Sequence, residues 1–354
     1  MLDPETKLRL LIHGVKTDLK PLRVGGAGPT GGLGFRINGS VVSAPAIQRF
    51  AKNSTFKLEK SGKNYILYEN DKKIGKIELP KSEYYSESID GIQAGKLVAL
   101  DGYNALVSAV SRKCVYWDQN KKCMFCTIQN GIQNAVVRKN PDQLTMAVKL
   151  AYEEDKSRHL TLTTGTLKGE DKGAKVLIDA VRAIKKEVDI DLHVQIEPVG
   201  KIWIEKLYES GVDTVGIHVE TFDESLRRKI VPGKPSLKDY RRAWSDAVGI
   251  FGEWNVSSWL IVGLGENRES VIEGFRGMTD MAVYPFIVPF RPHEGIVPFR
   301  PHEGDAFQHI HSEHVFQILK DLAFTVKTEG IKIPEFKAGC PKCNGCSFVS
   351  EILR

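Results

Sequence analysis

The sequence predicts an α/β protein built as a partial (β/α)6 TIM-type barrel, with an N-terminal β-rich extension and a C-terminal cysteine tail. Three observations carry this. From about residue 104, six short apolar segments alternate in strict order with amphipathic segments, the pattern of a parallel sheet buried under helices. Before that point, short β-like runs alternate with turn formers, as in antiparallel sheet. All six cysteines fall in two tight groups, at 114–126 and 340–346. The chain therefore divides into residues 1–103, 104–330 and 331–354.

The extension reads as strands at VVSAPAI, FKLEK, NYILYEN and KIGKIEL. Its glycine-rich stretch GGAGPTGGLGF begins at Gly25 and runs into FRINGSVV. Without a G-K-[ST] ending before a helix, it reads as a flexible turn and not as a phosphate cradle. The barrel then opens with ALVSAV followed by PDQLTMAVKLAYEED, HLTLTTGT by GAKVLIDAVRAIKKEV, and LHVQIEP by KIWIEKLYESG. TVGIHVET precedes LKDYRRAWSDAVGIFGE, VSSWLIVGLGE precedes RESVIEGFRGMTDM, and FIVPFRP precedes a helix near HSEHVFQILKDLAFTVKTEG. Right-handed crossovers curl such a sheet, and ligands collect at the C-terminal ends of its strands. The nonapeptide IVPFRPHEG occurs twice in succession, at 287–295 and 296–304; the first copy is expected in strand six and the second as a loop insertion.

With 354 residues and 42% hydrophobic content the chain can bury a normal core. Its start lacks the pattern of a signal peptide and its apolar runs are too short for a bilayer, so a cytoplasmic protein is expected. The net charge of +6 is spread without a Lys/Arg block, which argues against nucleic-acid and membrane partners. In reducing cytosol, clustered thiols point to metal and not to disulfides.

Cys114 follows the first barrel strand, and after a gap of eight residues Cys123-Met124-Phe125-Cys126 closes the same loop. Three thiolates suit an iron-sulfur cluster with one open iron, whereas zinc would want a fourth nearby ligand. His309, His311 and His314 do not share one helical face and read as surface residues.

These cysteines resemble the signature of the radical S-adenosylmethionine (SAM) superfamily, and the resemblance covers roughly residues 105 to 305. Phe125 fills the aromatic place before the last cysteine; the first gap is longer than the common three residues. The resemblance implies a [4Fe-4S] cluster on Cys114, Cys123 and Cys126, and reductive cleavage of SAM to a 5′-deoxyadenosyl radical. It places Thr163, Thr164, Gly165 and Thr166 at the SAM amino group, Glu220 of Ile217-His218-Val219-Glu220 at the ribose, and Gly263 and Glu266 of Ile261-Val262-Gly263-Leu264-Gly265-Glu266 beside the adenine. Lys234 is the candidate partner of the SAM carboxylate.

The tail Cys340-x-x-Cys343-x-x-Cys346 resembles the start of the bacterial ferredoxin ligand run. It implies a second, auxiliary [4Fe-4S] cluster with Ser347, Ser350, a substrate or exogenous sulfide completing the set, at the same end of the barrel as the first. The whole pattern is similar to the biotin- and lipoyl-synthase-related branch, in particular to the archaeal two-protein lipoyl synthases. That implies sulfur insertion into an octanoyl chain on a lipoyl carrier protein, a sister radical SAM subunit and an electron donor. A mildly basic surface suits an acidic carrier. The alternatives are another radical SAM reaction, with the tail cluster as electron relay or substrate anchor, and a non-enzymatic iron-sulfur carrier or sensor.

Overall fold

The computed structural model describes residues 1–22, 31–155, 157–291 and 305–353, with side chains from 312 onward in the last stretch. Positions 25–30 of the glycine-rich stretch, the second nonapeptide copy and the His309 and His311 side chains lie outside these residues.

The N-terminal region opens on a helix that the β-rich reading missed, α1 (Pro4–His13). Its signals are local: Asp3 accepts a hydrogen bond from Thr6 N and proline occupies the first turn, where its missing N–H costs nothing. Strands β1 (Gly32–Ile37), β2 (Ser40–Pro45), β3 (Phe56–Ser61), β4 (Asn64–Glu69) and β5 (Lys72–Glu78) form an antiparallel sheet in the order β2-β1-β5-β4-β3. Leu10 and Leu11 of α1 pack with Phe35, Val42, Phe56 and Leu67 of that sheet. Leu8 and Ile12 belong instead to the main core, so α1 is shared between the two layers. A small hairpin, β6 (Ser88–Ile89) with β7 (Ile92–Gln93), and the one-turn α2 (Ala94–Leu97) lead to the barrel.

The barrel sheet holds seven strands in the order β14-β13-β12-β11-β10-β9-β8. Six are the expected parallel set: β9 (Ala105–Ser111), β10 (His159–Thr164), β11 (Asp191–Gln195), β12 (Thr214–Gly216), β13 (Val256–Val262) and β14 (Val283–Pro289). The seventh, β8 (Ala99–Asp101), pairs antiparallel with β9. The sheet thus begins before residue 104. Since β8 and β14 are its two edges, it is an open half-barrel. The first nonapeptide copy begins inside β14, as expected.

Helix α3 (Val115–Asp118) lies in the cysteine loop. The crossovers are α4 (Pro141–Glu153), α5 (Ala174–Glu187), α6 (Lys201–Glu209), α7 (Glu224–Ile230) with α8 (Leu237–Phe251), α9 (Arg268–Asp280) and α10 (Asp305–Glu329). Each turns an apolar stripe inward; in α5 it is Leu177, Ile178, Val181 and Ile184, all buried. The chain ends in two short turns, α11 (Cys340–Cys343) and α12 (Val349–Ile352). Phe348 and Val349 are buried in the main core, so the tail is packed and not appended.

Candidate active site

At the C-terminal end of β9 the chain enters the long cysteine loop. The Arg112 guanidinium braces it, donating to Ile128 O at 2.7 Å and Asn130 O at 2.8 Å. Val115 N donates to Thr166 O at 2.8 Å and Gly165 N to Ser111 O at 3.0 Å, which ties the loop to the end of β10. This approach requires glycine at 165: a Cβ there would lie 2.2 Å from Lys113 O and 2.9 Å from Cys114 Cβ. On the other side Met124 N donates to Ile230 O, and Cys123, Met124 and Phe125 pack on Ile230, Ile261, Leu264 and Phe290.

Cys114, Cys123 and Cys126 thereby line one cavity of ≈ 200 Å³ together with Phe125 and the Thr163 to Thr166 turn. Burial raises the Cys123 thiol far above its ordinary range and Cys126 to about 11, and the charge of Cys114 raises both further. Thiols gathered in this way resist ionising alone, and a positively charged cluster reverses that cost. Among the described residues, no three His, Cys, Asp or Glu side chains converge on a point suited to a single metal ion; a four-iron cluster spreads its thiolates over separate irons. The donor set fits the cluster.

The opposite wall comes from β12. Its regular pairing ends at Gly216, but the chain follows β13 onward, with Glu220 N donating to Trp259 O and Ile261 N to Glu220 O. Glu220 has φ +70°, a left-handed conformation that costs a non-glycine residue energy and clusters at functional sites. Its Oε1 accepts from Lys234 Nζ at 2.5 Å, and the same ammonium donates to His218 O at 3.1 Å. Burial opposes the Lys234 charge, but the Glu220 carboxylate outweighs it and holds the ammonium well above its usual range. Glu220 Oε2 is buried without a partner among the described residues, facing a cavity that Lys234 and His218 also line. Glu220 and Lys234 therefore enter the site as an ion pair. The Thr164 hydroxyl donates to Gly165 O at 2.9 Å, so this turn offers a ligand mainly backbone.

Gly263 and Glu266 do not line the cavity. Glu266 is buried and its carboxylate accepts from Gly263 N and Leu264 N, each at 2.7 Å. It braces the turn that Gly263, at φ +92°, makes after β13. The next helix is capped by Asn267. His314 Nε2 approaches Glu266 Oε1 at 3.1 Å, so this histidine is a structural partner and not a surface residue.

Several cavity residues escaped the sequence reading. Tyr116 donates to Glu197 Oε1 at 2.5 Å; burial raises Glu197 above the usual carboxylate range, with the Tyr116 bond opposing. Gln195, Trp259, Val288, Phe290 and Arg291 complete the wall, with Trp259 stacked on His218 of the strand-four segment at a ring-centroid distance of 4.9 Å. Gln195 and Glu197 follow the rule that found Glu220, polar groups at the end of a barrel strand, applied one strand earlier.

The tail lies elsewhere than expected. Gly339 N donates to Nδ1 of His159, the first residue of β10, at 3.2 Å. Cys343 Sγ sits 3.8 Å from the carbonyl of Asp101, at the β8 turn into β9. These are the N-terminal ends of the parallel strands, opposite the first cysteine triplet. The three tail cysteines are held there differently. Cys340 Sγ accepts from Gln195 Nε2 at 3.3 Å, Cys346 packs with Tyr284, Phe286 and Phe336, and burial raises the Cys343 thiol. A fully buried Lys7 donates to Asn344 O at 2.9 Å and Glu351 Oε1 at 2.8 Å, and its ammonium is favoured by charge on Cys343 and Cys346. Ser347 Oγ accepts from Val349 N at 3.3 Å.

Residues 120–276 match the family model of the Radical SAM superfamily. The match includes Cys123, Cys126, Glu220 and Lys234; Cys114 and the tail fall outside it. That family's cofactors are a [4Fe-4S] cluster and SAM. No curated protein matches the chain. Among solved structures, methylornithine synthase (PylB) aligns with TM-score 0.49 at 18% identity, covering 70% of this chain and 69% of its own. The [FeFe]-hydrogenase maturase HydG from Carboxydothermus hydrogenoformans aligns with TM-score 0.47 at 17% identity, over 61% of this chain and 51% of its own. Coproporphyrinogen III oxidase (HemN) from Escherichia coli aligns with TM-score 0.38 at 14% identity, over 49% of this chain and 40% of its own. Among the described residues no helix is long and apolar enough to cross a membrane.

Proposed function

We propose that the chain is a sulfur-inserting radical SAM enzyme, a lipoyl synthase subunit acting on an octanoyl chain borne by a lipoyl carrier protein. A sister subunit and an electron donor complete the system. The supporting observation is the placement of Gln195. This residue lines the cavity below Cys114, Cys123 and Cys126 and holds Cys340 Sγ from the other side. A substrate carbon in that cavity would lie between one thiol set and the other.

When bound, the first cluster and SAM supply hydrogen abstraction from an unactivated carbon. The chain's own residues bind and orient. Glu220 offers a free carboxylate oxygen and Lys234 fixes it; the His218 and Trp259 stack gives a flat wall; Ile261, Val288 and Phe290 exclude water. The tail thiols hold the auxiliary centre that would donate sulfur.

The test is anaerobic reconstitution with SAM, a reductant and octanoylated carrier, followed by mass analysis. Added sulfur on the carrier is expected. Formation of 5′-deoxyadenosine without added sulfur on any octanoylated carrier would defeat the sulfur-insertion reading, and absence of both would leave an iron-sulfur carrier.

A further inference from the structure

We propose that Arg227 is a positioning residue of the candidate site, a single guanidinium that fixes from behind both the strained turn presenting Glu220 and the loop presenting Lys234. The inference rests on reading the Glu220 and Lys234 pair as part of the SAM site, but not on what is then done to the substrate.

Beyond β12 the chain folds tightly at Glu220. Thr221 N donates to Val219 O at 2.9 Å across Glu220, whose φ is +70°. A three-residue turn with positive φ at its centre is of the rare, strained kind, and it persists only where its surroundings hold it. β13 holds one side, through the bonds from Glu220 N to Trp259 O and from Ile261 N to Glu220 O. Arg227 holds the other. It is 7% exposed, and its Nη1 donates to Val219 O at 2.6 Å and to Thr221 O at 3.1 Å. In an extended strand, carbonyls two residues apart are separated by about 7 Å, further than one nitrogen can bridge at those distances. The bridging contact therefore exists only while the turn at Glu220 is closed, and it stabilises that turn.

The second nitrogen reaches the other half of the pair. Arg227 Nη2 donates to Pro235 O, next to Lys234, at 2.7 Å, and the Tyr240 ring of α8 packs on the guanidinium with its centroid 5.2 Å from Cζ. A planar fork sets the spacing of whatever its two nitrogens hold. Here it sets the spacing between the Glu220 turn and the Lys234 loop, whose side chains meet 2.5 Å apart at the cavity wall. A lysine ammonium, a point charge on a flexible stem, would impose no such spacing. Arg228, next in sequence, is exposed and serves as a control.

The test uses the full chain reconstituted anaerobically with iron and sulfide. SAM affinity is read by calorimetry; separately, without SAM, the rate at which acetic anhydride labels Lys234 is read by peptide mass analysis. In Arg227→Lys and Arg227→Gln, SAM should bind about tenfold more weakly and Lys234 should label severalfold faster, with iron content at the parent's level. In Arg228→Gln both readings should match the parent. A merely structural role would lower the melting temperature and leave the Lys234 rate unmoved. Arg227→Lys keeps the charge and the stem, and gives its answer if Arg227→Gln fails to fold. An unchanged Lys234 rate in folded Arg227→Lys would overturn the inference and leave the SAM site standing. Faster labelling with the parent's SAM affinity would instead remove the pair from that site, and the inference would fall with it.

Discussion

The Lys234 ammonium lies 2.5 Å from Glu220 Oε1, with side chains 16% and 7% exposed, at the wall of the cavity that Cys123 and Cys126 line. Removing one member of so buried a pair leaves the other charge uncompensated, which costs about 3–5 kcal/mol. Glu220→Gln should therefore destabilise the chain strongly in urea denaturation, while Glu220→Leu with Lys234→Met should recover most of the loss. SAM affinity, read by calorimetry, should be lost in both. Full binding by the folded double variant would remove the pair from the site.

Gly165 carries the close approach of the β10 end to the cysteine loop. The methyl of Gly165→Ala would press on Lys113 O, a backbone atom that cannot swing away. Overpacking of this kind costs about 1–3 kcal/mol, and here the strain falls on Cys114. The variant should fold but take up less iron at the first site on reconstitution. Iron stoichiometry equal to the parent's would show that the loop adapts freely.

His314 and Glu266 predict a pH dependence. The hydrogen bond that His314 donates to the Glu266 carboxylate raises its pKa above the ordinary 6.5, with burial opposing. A group whose folded pKa is raised contributes fully below the unfolded value, and its contribution fades as pH rises through the folded one. The melting temperature of the parent should exceed that of His314→Gln most at about pH 5.5, with the gap closing by about pH 8. A gap that widens with rising pH would contradict the pairing.

Lys7 ties the first helix to the last turn. Burial lowers its pKa and Glu351 works against that. With side chains 0% and 3% exposed, Lys7→Met should cost about 3–5 kcal/mol by stranding the Glu351 carboxylate. It should also loosen the tail. Alkylation of Cys343 in the metal-free protein is expected to quicken severalfold, and an unchanged rate would place the clamp outside tail stability.

Much of this was legible in the chain because its signals are local. Alternating apolar segments encode which face of each strand and helix is buried, and the six parallel strands appeared where periodicity placed them. The helix Pro4–His13 was legible too, through Asp3 and Pro4, although turn-rich neighbours masked it. Glu220 was singled out because polar residues at strand ends point to a site, and Lys234 through the resemblance alone. Glu266 looked equivalent but turned back to its own backbone, and nothing in I-V-G-L-G-E separates those two fates.

By itself, then, the sequence determined the barrel order, the loop that gathers Cys114, Cys123 and Cys126, and the tail with its three thiols. Only the tertiary structure decided where the tail packs: Gly339 meets His159 at the N-terminal end of β10, Cys340 meets Gln195 at the last residue of β11 across 145 positions, and Lys7 meets Glu351 across 344. Periodicity reports how a segment meets its immediate neighbours. Contacts at such separations depend instead on how layers already formed pack together and which buried polar groups are left to satisfy one another.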